Sequence, residues 1–373
     1  MMLLLLAGAT LLLSYANGAN DNFKAVATIY GSSTLSYKKS LILATIAQIL
    51  GSLASVFVAG ALLAAFSGKG LVDDAILADE RFVIAVALGA GFAVLIATRM
   101  GLPISTTHAL VGGLVGAGIA MSSLEGVAWS KLGAVFFLPL LISPLLATAL
   151  AGTIYPIARF ARKRCGIDEV TCLCVGETIE PVAMNADGSL VMARTGLQLT
   201  VSQTEQCQQR YSGSVLGISA QKTVDSLHIF SAMSLGFARG LNDTPKILAL
   251  LLASASFGVN PKLGLVVVAI VMAIGGLLHS RRIATTMGER ITEMNRGQGF
   301  IANLVASSLV IGASLMGSPV STTHVSTGSI FGIGMWTKRT HWKVVGQILL
   351  AWVVTLPIAG LLAFAIGSTL KMF

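Results

Sequence analysis

The chain has 373 residues, of which 54% are hydrophobic and only 11% are charged. Soluble domains carry about 25% charged residues, so this composition excludes an ordinary soluble protein and predicts the lipid bilayer as its surroundings. The net charge is +9, but the basic residues stand in short clusters between apolar runs, and no DNA-reading motif accompanies them. Such clusters set membrane orientation, so nucleic acid is not an expected partner.

Ten apolar runs approach or exceed the roughly 20 residues that cross a bilayer. They cover residues 2–33, 40–66, 82–98, 103–122, 131–158, 226–256, 262–280, 299–316, 319–336 and 343–370. The first run lacks the basic region of a signal peptide, and its apolar pattern resumes after a polar break at residues 17–24. We therefore expect the first half of a broken membrane helix there.

Basic clusters predict the orientation of these runs. Lys38 and Lys39 place the end of the first run in the cytoplasm, which leaves the N-terminus outside. The cluster at residues 159–164 returns the chain inside, and the second half begins inside and leaves the C-terminus outside. The halves then have opposite orientations, as in the inverted repeats of many secondary transporters. We expect a multi-pass protein of the plasma membrane or bacterial inner membrane.

Two motifs occur twice, in the same order. Residues 100–108 recur at 316–324 with seven of nine positions identical, an offset of 216. Residues 18–24 align with residues 240–246 at an offset of 222. Because order and offset are both kept, the repeat indicates duplication of a whole unit.

The duplication divides the chain into two membrane repeats, residues 1–158 and 225–373, separated by a polar segment at 159–224. Alternating apolar residues near 170–175 and 190–201, with a turn signal between them, give this segment some β-hairpin character. We expect a small cytoplasmic insert on an otherwise all-α polytopic membrane protein with broken helices. Its four cysteines fit no strong zinc pattern.

Asp21 and Asp243 lie well inside apolar runs. A charged residue at bilayer depth costs about 2.5–3.5 kcal/mol on insertion scales, so it faces a cavity or a partner. One interpretation pairs each carboxylate with the lysine three residues later, Lys24 or Lys246, within its own helix. The other, which the duplication favours, makes the two Asn-Asp motifs a functional site.

The two Asn-Asp motifs are predicted to bind cations. We expect Gly18 and Gly240 to weaken the helix and Pro245 to remove a backbone donor, so that carbonyl oxygens become free. Together with amide and carboxylate oxygens they would bind Na⁺, with Asp21 and Asp243 holding the ions. The predicted cation ligands are Asn20, Asp21, Asn242, Asp243 and Gln48. For Gln48, an interhelical hydrogen bond explains its burial equally well.

The second motif predicts an anion site. Pro103 and Pro319 each pre-set the first turn of a following helix. A helix start offers free N–H groups and a partial positive charge, which suits a tetrahedral oxyanion. The predicted donors are Ser105, Thr106, Thr107, Ser321, Thr322 and Thr323. Helix capping alone would explain one such run, and His108 and His324 are left open between a ligand contact and a core role.

For the two kinds of motif to meet, the Ser-Thr-Thr turns must lie near the bilayer midplane. This favours re-entrant hairpins at residues 82–122 and 299–336, the first with its tip at residues 99–107. Each arm is nearly long enough to span, so two full crossings remain an alternative.

At these motifs the chain resembles the inorganic phosphate transporter (PiT) family of sodium- or proton-coupled phosphate symporters. The resemblance covers both repeats and implies inward, cation-driven uptake of inorganic phosphate by alternating access, with Na⁺ as coupling ion and no other cofactor. Asn22 is counted with the phosphate ligands as part of the first motif. The family often has a small residue, Ala and Asn after the first Asn-Asp, where this chain has Asn22, Phe23 and Lys24.

Alternatives of other kinds follow from the same residues. A helix-terminus site also accepts sulfate, so an oxyanion permease of the same fold is the nearest alternative, together with proton in place of sodium coupling. An ion channel suits the repeats less well. An enzyme is not predicted, because no base–orienter arrangement accompanies the Thr and His residues. A homodimer would match the habit of helical transporters, although no interface is identified.

Overall fold

The computed structural model describes residues 2–57, 60–168, 171–184, 189–203, 216–253 and 260–372. The chain forms two compact units, one containing the residues up to Ile154 and from His228 onward, the other Tyr155–Leu227. The prediction of a mostly helical, multi-pass membrane protein is confirmed.

The first repeat and its connection to the insert contain nine helices within the described ranges. They are α1 (Met2–Asp21), α2 (Ala27–Gly31), α3 (Tyr37–Ala54), α4 (Gly60–Phe66), α5 (Asp74–Leu77), α6 (Glu80–Met100), α7 (Thr106–Met121), α8 (Trp129–Lys131) and α9 (Leu138–Arg164). A 3₁₀ segment, Asn22–Val26, joins α1 to α2. A π-helical turn, Leu132–Phe137, leads into α9.

The described part of the chain after the insert contains six helices. They are α10 (Ala220–Ala253), α11 (Pro261–His279), α12 (Arg281–Thr285), α13 (Arg296–Leu315), α14 (Thr322–Thr337) and α15 (Trp342–Leu370). Seven helical stretches among the described residues are long and apolar enough to cross a membrane: Met2–Gly31, Tyr37–Phe57, Glu80–Met100, Trp129–Arg164, Pro261–His279, Arg296–Leu315 and Trp342–Leu370.

The expected unwinding at the second Asn-Asp motif is wrong, whereas at the first motif the α-helix ends at Asp21 and a 3₁₀ segment follows. Helix α1 continues to Asp21 before it tightens into the 3₁₀ segment, and α10 runs through Asn242 and Asp243 for 34 residues despite Pro245. Proline removes one backbone hydrogen bond, and a helix packed on both sides can absorb that loss as a local distortion. The carbonyl groups at these positions therefore stay within helical turns.

The glycines of these motifs serve helix packing instead. A Cβ at Gly18 of α1 would overlap the Met272 carbonyl of α11, and a Cβ at Gly240 of α10 would overlap the Gln48 carbonyl of α3. The first helix of each repeat thus crosses the second long helix of the other repeat at backbone contact. Only glycine allows two helices to approach this closely.

A second pair of crossings follows the same rule. Gly116 of α7 lies against the Gly360 carbonyl of α15, and Gly332 of α14 lies against the Thr148 carbonyl of α9. Here the helix after the Ser-Thr-Thr turn of one repeat packs on the last long helix of the other. Such reciprocal contacts are those that a two-fold relation between the repeats produces.

The Ser-Thr-Thr turns lie between two helices of unequal length. In the first repeat α6 has 21 residues and α7 has 16, and in the second α13 has 20 and α14 has 16. At 1.5 Å per residue, 16 residues reach about 24 Å, less than the roughly 30 Å hydrocarbon core. The length of α7 and α14 is that of a re-entrant arm, and the hairpin stays a prediction.

The second unit contains a three-stranded antiparallel sheet in the order β2-β1-β3. The strands are β1 (Thr171–Met184), β2 (Leu190–Gln203) and β3 (Leu216–Ser219). The long pair β1 and β2 lies where alternation predicted strands, and its register shifts at two points. The predicted turn at residues 185–188 lies outside the described residues.

Candidate functional site

The two Ser-Thr-Thr turns each begin a helix with a capping serine. The Ser105 hydroxyl accepts from the His108 N–H of α7 at 3.1 Å, and the Ser321 hydroxyl accepts from the His324 N–H of α14 at 3.2 Å. Each cap satisfies one of the orphan N–H groups of a first turn. The N–H groups of Thr106 and Thr322, at the start of each turn, make no hydrogen bond to the part of the chain that the structure describes.

The two turns contact each other crosswise. The Thr107 hydroxyl donates to the Val320 carbonyl at 3.3 Å, and the Thr323 hydroxyl donates to the Ile104 carbonyl at 2.9 Å. Each threonine therefore bonds to the residue just before the other capping serine. This exchange brings the N-termini of α7 and α14 together at one place, so the repeats share a single site.

Lys24 joins the first Asn-Asp motif to both turns. Its ammonium contacts the Asp21 carboxylate, the Ile104 carbonyl (2.6 Å) and the Thr323 hydroxyl (2.7 Å). The other oxygen of Asp21 accepts from the Thr106 hydroxyl at 2.8 Å. The carboxylate is thus held by donors from α1, from the 3₁₀ segment and from α7.

Lys246 makes the equivalent contacts in the second repeat. Its ammonium lies 3.4 Å from the Asp243 carboxylate, 2.7 Å from the Val320 carbonyl and 2.9 Å from the Thr107 hydroxyl. The ion pairs between residues three apart, which the sequence left as the alternative interpretation, are therefore present in both repeats. In the first repeat the pair spans the end of α1, and in the second it lies inside α10.

Two residues that sequence reasoning missed connect the motifs. The Asn17 amide donates to Asp21 at 3.0 Å and to Asp243 at 3.4 Å, so it bridges the two carboxylates. The Arg239 guanidinium donates to the Asn17 oxygen at 2.8 Å and lies 3.7 Å from Asp243. An arginine inside an apolar run was a visible signal, because such charges are rare unless functional or paired. Asn17 gave no comparable signal.

The five charged side chains form one buried group, which we call the ionic cluster: Asp21, Lys24, Arg239, Asp243 and Lys246. None is more than 3% exposed. Three basic and two acidic groups leave one basic group in excess. A buried charge without a counter-charge is costly, so the cluster favours an anion at this place.

The predicted sodium ligands already have partners. The Asn20 amide oxygen accepts from the Ile104 N–H at 3.2 Å, and the Asn242 amide oxygen accepts from the Ser314 hydroxyl at 3.3 Å. Both carboxylates accept from amide N–H groups and contact ammonium or guanidinium groups, whose positive charge repels a cation. The residues as arranged do not fit a sodium ion at Asp21 or Asp243, because an ammonium group lies there.

Two further predicted ligands lie on the flank of this group. Asn22, counted with the phosphate ligands, donates to Thr45 at 2.9 Å and accepts from Arg239 at 3.1 Å. Gln48 donates to Ser52 at 2.8 Å, and its buried amide oxygen has no hydrogen-bond partner among the described residues. Neither makes a described contact with the Ser-Thr-Thr turns.

The threonines that open α7 and α14 differ in their bonding. Thr106 donates to Asp21, whereas the Thr322 side chain makes no hydrogen bond to the part of the chain that the structure describes. Thr322 is 7% exposed, so its hydroxyl lies at the edge of the buried site. Of the six predicted hydroxyl donors, it is the one most open to a ligand.

The histidines after the turns belong to a different environment. His108 and His324 lie 4.4 Å apart between ring centroids, and His324 stacks on Trp352 at 3.8 Å. They line an apolar cavity of about 550 Å³, together with residues such as Leu140 and Ile348. An apolar cavity does not suit a phosphate ion, so the two histidines are not placed as ligands of one.

Comparison with known proteins identifies the family and several relatives of this chain. Residues 17–363 match the model of the phosphate transporter family. A putative phosphate permease of Pyrococcus abyssi is 27% identical, with 96% of each chain covered. A probable low-affinity inorganic phosphate transporter of Mycobacterium bovis is 29% identical over 98% of this chain and 77% of that protein. A solved sodium-dependent phosphate transporter shares the fold, with a TM-score of 0.74, 20% identity, and 100% and 99% of the two chains covered.

Proposed function

We propose that this chain, which belongs to the phosphate transporter family, is a secondary active symporter that imports inorganic phosphate by alternating access. One observation carries the proposal: two helix N-termini meet beside a buried ionic cluster with one basic group in excess. Helix N-termini and a positive charge both stabilise an oxyanion. The charged residues of the cluster, which come from both repeats, are each at most 3% exposed, and this burial supports a site that opens only at some stages of transport.

The anion would bind between the first turns of α7 and α14. There it would accept from the free N–H groups of Thr106 and Thr322 and from the Thr322 hydroxyl. It would also lie within reach of the excess positive charge, which stabilises phosphate more strongly in a dry site than in water. Phosphate rather than sulfate is proposed because of the family, since a tetrahedral cradle alone accepts both.

A cation gradient supplies the energy for uptake in this proposal. Sodium is the cation expected from the sequence, and the solved structure of similar fold is that of a sodium-dependent phosphate transporter. Protons are the alternative. A sodium ion that reached Asp21 or Asp243 would first have to displace Lys24 or Lys246.

Purified protein in proteoliposomes, with sodium and proton gradients imposed separately, tests the function. We expect saturable phosphate accumulation above that of empty vesicles under at least one gradient. Sulfate added in excess separates the two oxyanions: phosphate uptake should persist. Absence of accumulation under both gradients would contradict the proposal, and equal competition by sulfate would favour a general oxyanion permease.

We also propose that the two repeats have opposite orientations in the membrane and that both termini lie outside the cell. The reciprocal packing of the repeats and the basic clusters at their ends support this orientation. Protease accessibility of epitope tags at the two termini, in right-side-out vesicles, tests it. Both tags should be cleaved from outside, and protection of either tag would contradict the orientation.

A further inference from the structure

We infer that the ammonium groups of Lys24 and Lys246 are built-in cations that take the place of bound sodium, so that phosphate binds this site without Na⁺. The inference rests on the proposed phosphate function and specifies how its anion is neutralised. It concerns the binding step and assigns Lys24 and Lys246 as the residues that decide ion dependence.

The first argument is the identity of the atoms around each ammonium. Lys24 is surrounded by a carboxylate (Asp21), a backbone carbonyl (Ile104) and a hydroxyl (Thr323). These oxygen types, from a helix terminus and a carboxylate, are the ones that coordinate coupling ions in transporters. A tethered ammonium therefore occupies an all-oxygen site of the kind a sodium ion would take.

The second repeat contains the same arrangement. Lys246 is surrounded by the carboxylate of Asp243, the carbonyl of Val320 and the hydroxyl of Thr107. In both repeats the carboxylate and carbonyl come from the lysine's own half and the hydroxyl comes from the other half. Two independent ion pairs would not reproduce this division, so the duplicated unit includes the lysine and its oxygen site.

The third argument is charge. Lys24, Lys246 and Arg239 already exceed the two carboxylates by one positive charge, and all are buried. Two sodium ions added to the cluster would raise the excess to three before any anion arrived. An oxyanion alone removes the excess. In a medium of low dielectric the charge balance therefore favours an anion and opposes sodium.

Displacement gives the fourth argument. A lysine at residue 24 or 246 is covalently held at its site, so sodium competes with a group of very high local concentration. A displaced ammonium would also remain buried, since both lysines are at most 3% exposed. Sodium should consequently neither bind here nor raise the affinity for phosphate.

Binding of inorganic phosphate to the purified wild-type protein tests the inference directly. The dissociation constant is measured in sodium chloride and in choline chloride at equal ionic strength. We expect values within about twofold of each other. Phosphate binding that needs sodium, or that sodium tightens about tenfold or more, would overturn the inference while the transport function stands. Failure to bind in either salt would instead remove the proposed function.

Asparagine substitution provides the reverse test. Lys24→Asn and Lys246→Asn remove the tethered charge and add an amide oxygen that can bind sodium. We expect the double variant to bind phosphate at least about tenfold more weakly in choline, and sodium to restore part of that loss. The exposed lysine variant Lys38→Asn is the matched control and should keep the wild-type constant in both salts. Wild-type affinity of the double variant in choline would contradict the role given to the lysines.

The thermal unfolding temperature, measured without phosphate, provides a second test that also works if the double variant does not fold. A ligand that binds only the folded state raises the unfolding temperature. Replacing choline with sodium should leave the midpoint of the wild-type protein unchanged and raise that of Lys24→Asn. Sodium-dependent stabilisation of the wild-type protein, saturating with concentration, would by itself overturn the inference.

Discussion

The two repeats place the same groups around the same kind of site, and they differ most at one pair of positions. Asn17 and Arg239 are separated by 222 residues, the offset of the Asn-Asp motifs, and they therefore correspond. They also contact each other, with the guanidinium donating to the amide oxygen at 2.8 Å. The corresponding positions thus meet at the boundary between the halves.

This difference accounts for the charge of the site. In each repeat one aspartate faces one lysine, so two identical halves would be neutral. Arg239 alone provides the excess positive charge, while Asn17 uses its amide to bridge the carboxylates. The two repeats contribute equivalent ion pairs, and one unequal position leaves the shared cluster with one basic group in excess.

The largest effect is expected where a buried charge loses its partner. Asp243→Asn leaves both Arg239 and Lys246 without their nearest carboxylate, whereas Asp21→Asn leaves only Lys24. Breaking a buried ion pair costs about 3–5 kcal/mol, so both variants should unfold at a lower temperature and lose phosphate uptake, Asp243→Asn more severely.

Thermal unfolding in detergent and uptake into proteoliposomes measure these two effects. The exposed Asp74→Asn is the matched control and should resemble the wild-type protein. A greater loss of stability in Asp21→Asn would contradict the assignment of two basic partners to Asp243.

The helix crossings at Gly18 and Gly240 are equivalent in the two repeats, so substitutions at these glycines should destabilise the protein equally. Gly18→Ala and Gly240→Ala each place a methyl group on a backbone carbonyl, which cannot move as a flexible side chain would. We expect each to destabilise the protein by about 3 kcal/mol, the upper range for overpacking. Unfolding temperatures measure this, and Gly8→Ala, in the same helix with open space around it, should cost nothing. Unequal effects of the two crossings would break the equivalence.

Exchanging the residues at positions 17 and 239 tests whether the two repeats differ functionally at these corresponding positions. Arg239→Asn removes the excess charge and should weaken phosphate binding about tenfold. Adding Asn17→Arg to that variant places the guanidinium at the corresponding position in the other half and should recover part of the affinity. Binding assays measure both, with the exposed Arg290→Asn as control. No recovery in the exchanged protein would show that the two positions are not interchangeable.

The smallest expected effect concerns the caps. Ser105→Ala and Ser321→Ala each remove one hydrogen bond, to His108 or His324, and should cost about 1 kcal/mol each. The two losses should be equal within error in thermal unfolding. Ser123→Ala, at an exposed position, should leave the midpoint unchanged. A loss confined to one cap would indicate that only one of the two helix starts is formed as described.

The architecture and the repeated motifs could be predicted, because a duplication and long apolar runs can be recognised from the amino-acid sequence alone. The pairing of Thr107 with Val320 and of Thr323 with Ile104 follows in outline, since both turns had to reach one site. The apolar runs predicted two helices here, but Pro103 and Pro319 were expected to set their first turns, whereas α7 and α14 begin three residues later, at Thr106 and Thr322.

What sequence reasoning missed depends on distances between segments far apart in the chain. Gly18 was interpreted as a helix breaker because a glycine that admits a neighbouring carbonyl looks the same in sequence. Lys24 was considered only as the ion-pair partner of Asp21, although its neighbours also include the Ile104 carbonyl and the Thr323 hydroxyl. Asn17 has no pattern of its own, and its role exists only because Arg239 and both carboxylates approach it.

The reciprocal crossings at Gly18, Gly240, Gly116 and Gly332 have a consequence for which parts of the protein can exist alone. Each crossing joins a helix of one repeat to a helix of the other through backbone contact, and such seams tolerate little sliding. The helices that are held together by these backbone contacts therefore come from both repeats, and they do not correspond to the two duplicated units. A single repeat, expressed without its mate, would expose one side of each of these helix contacts, so we expect that it could fold only by pairing with a second copy of itself.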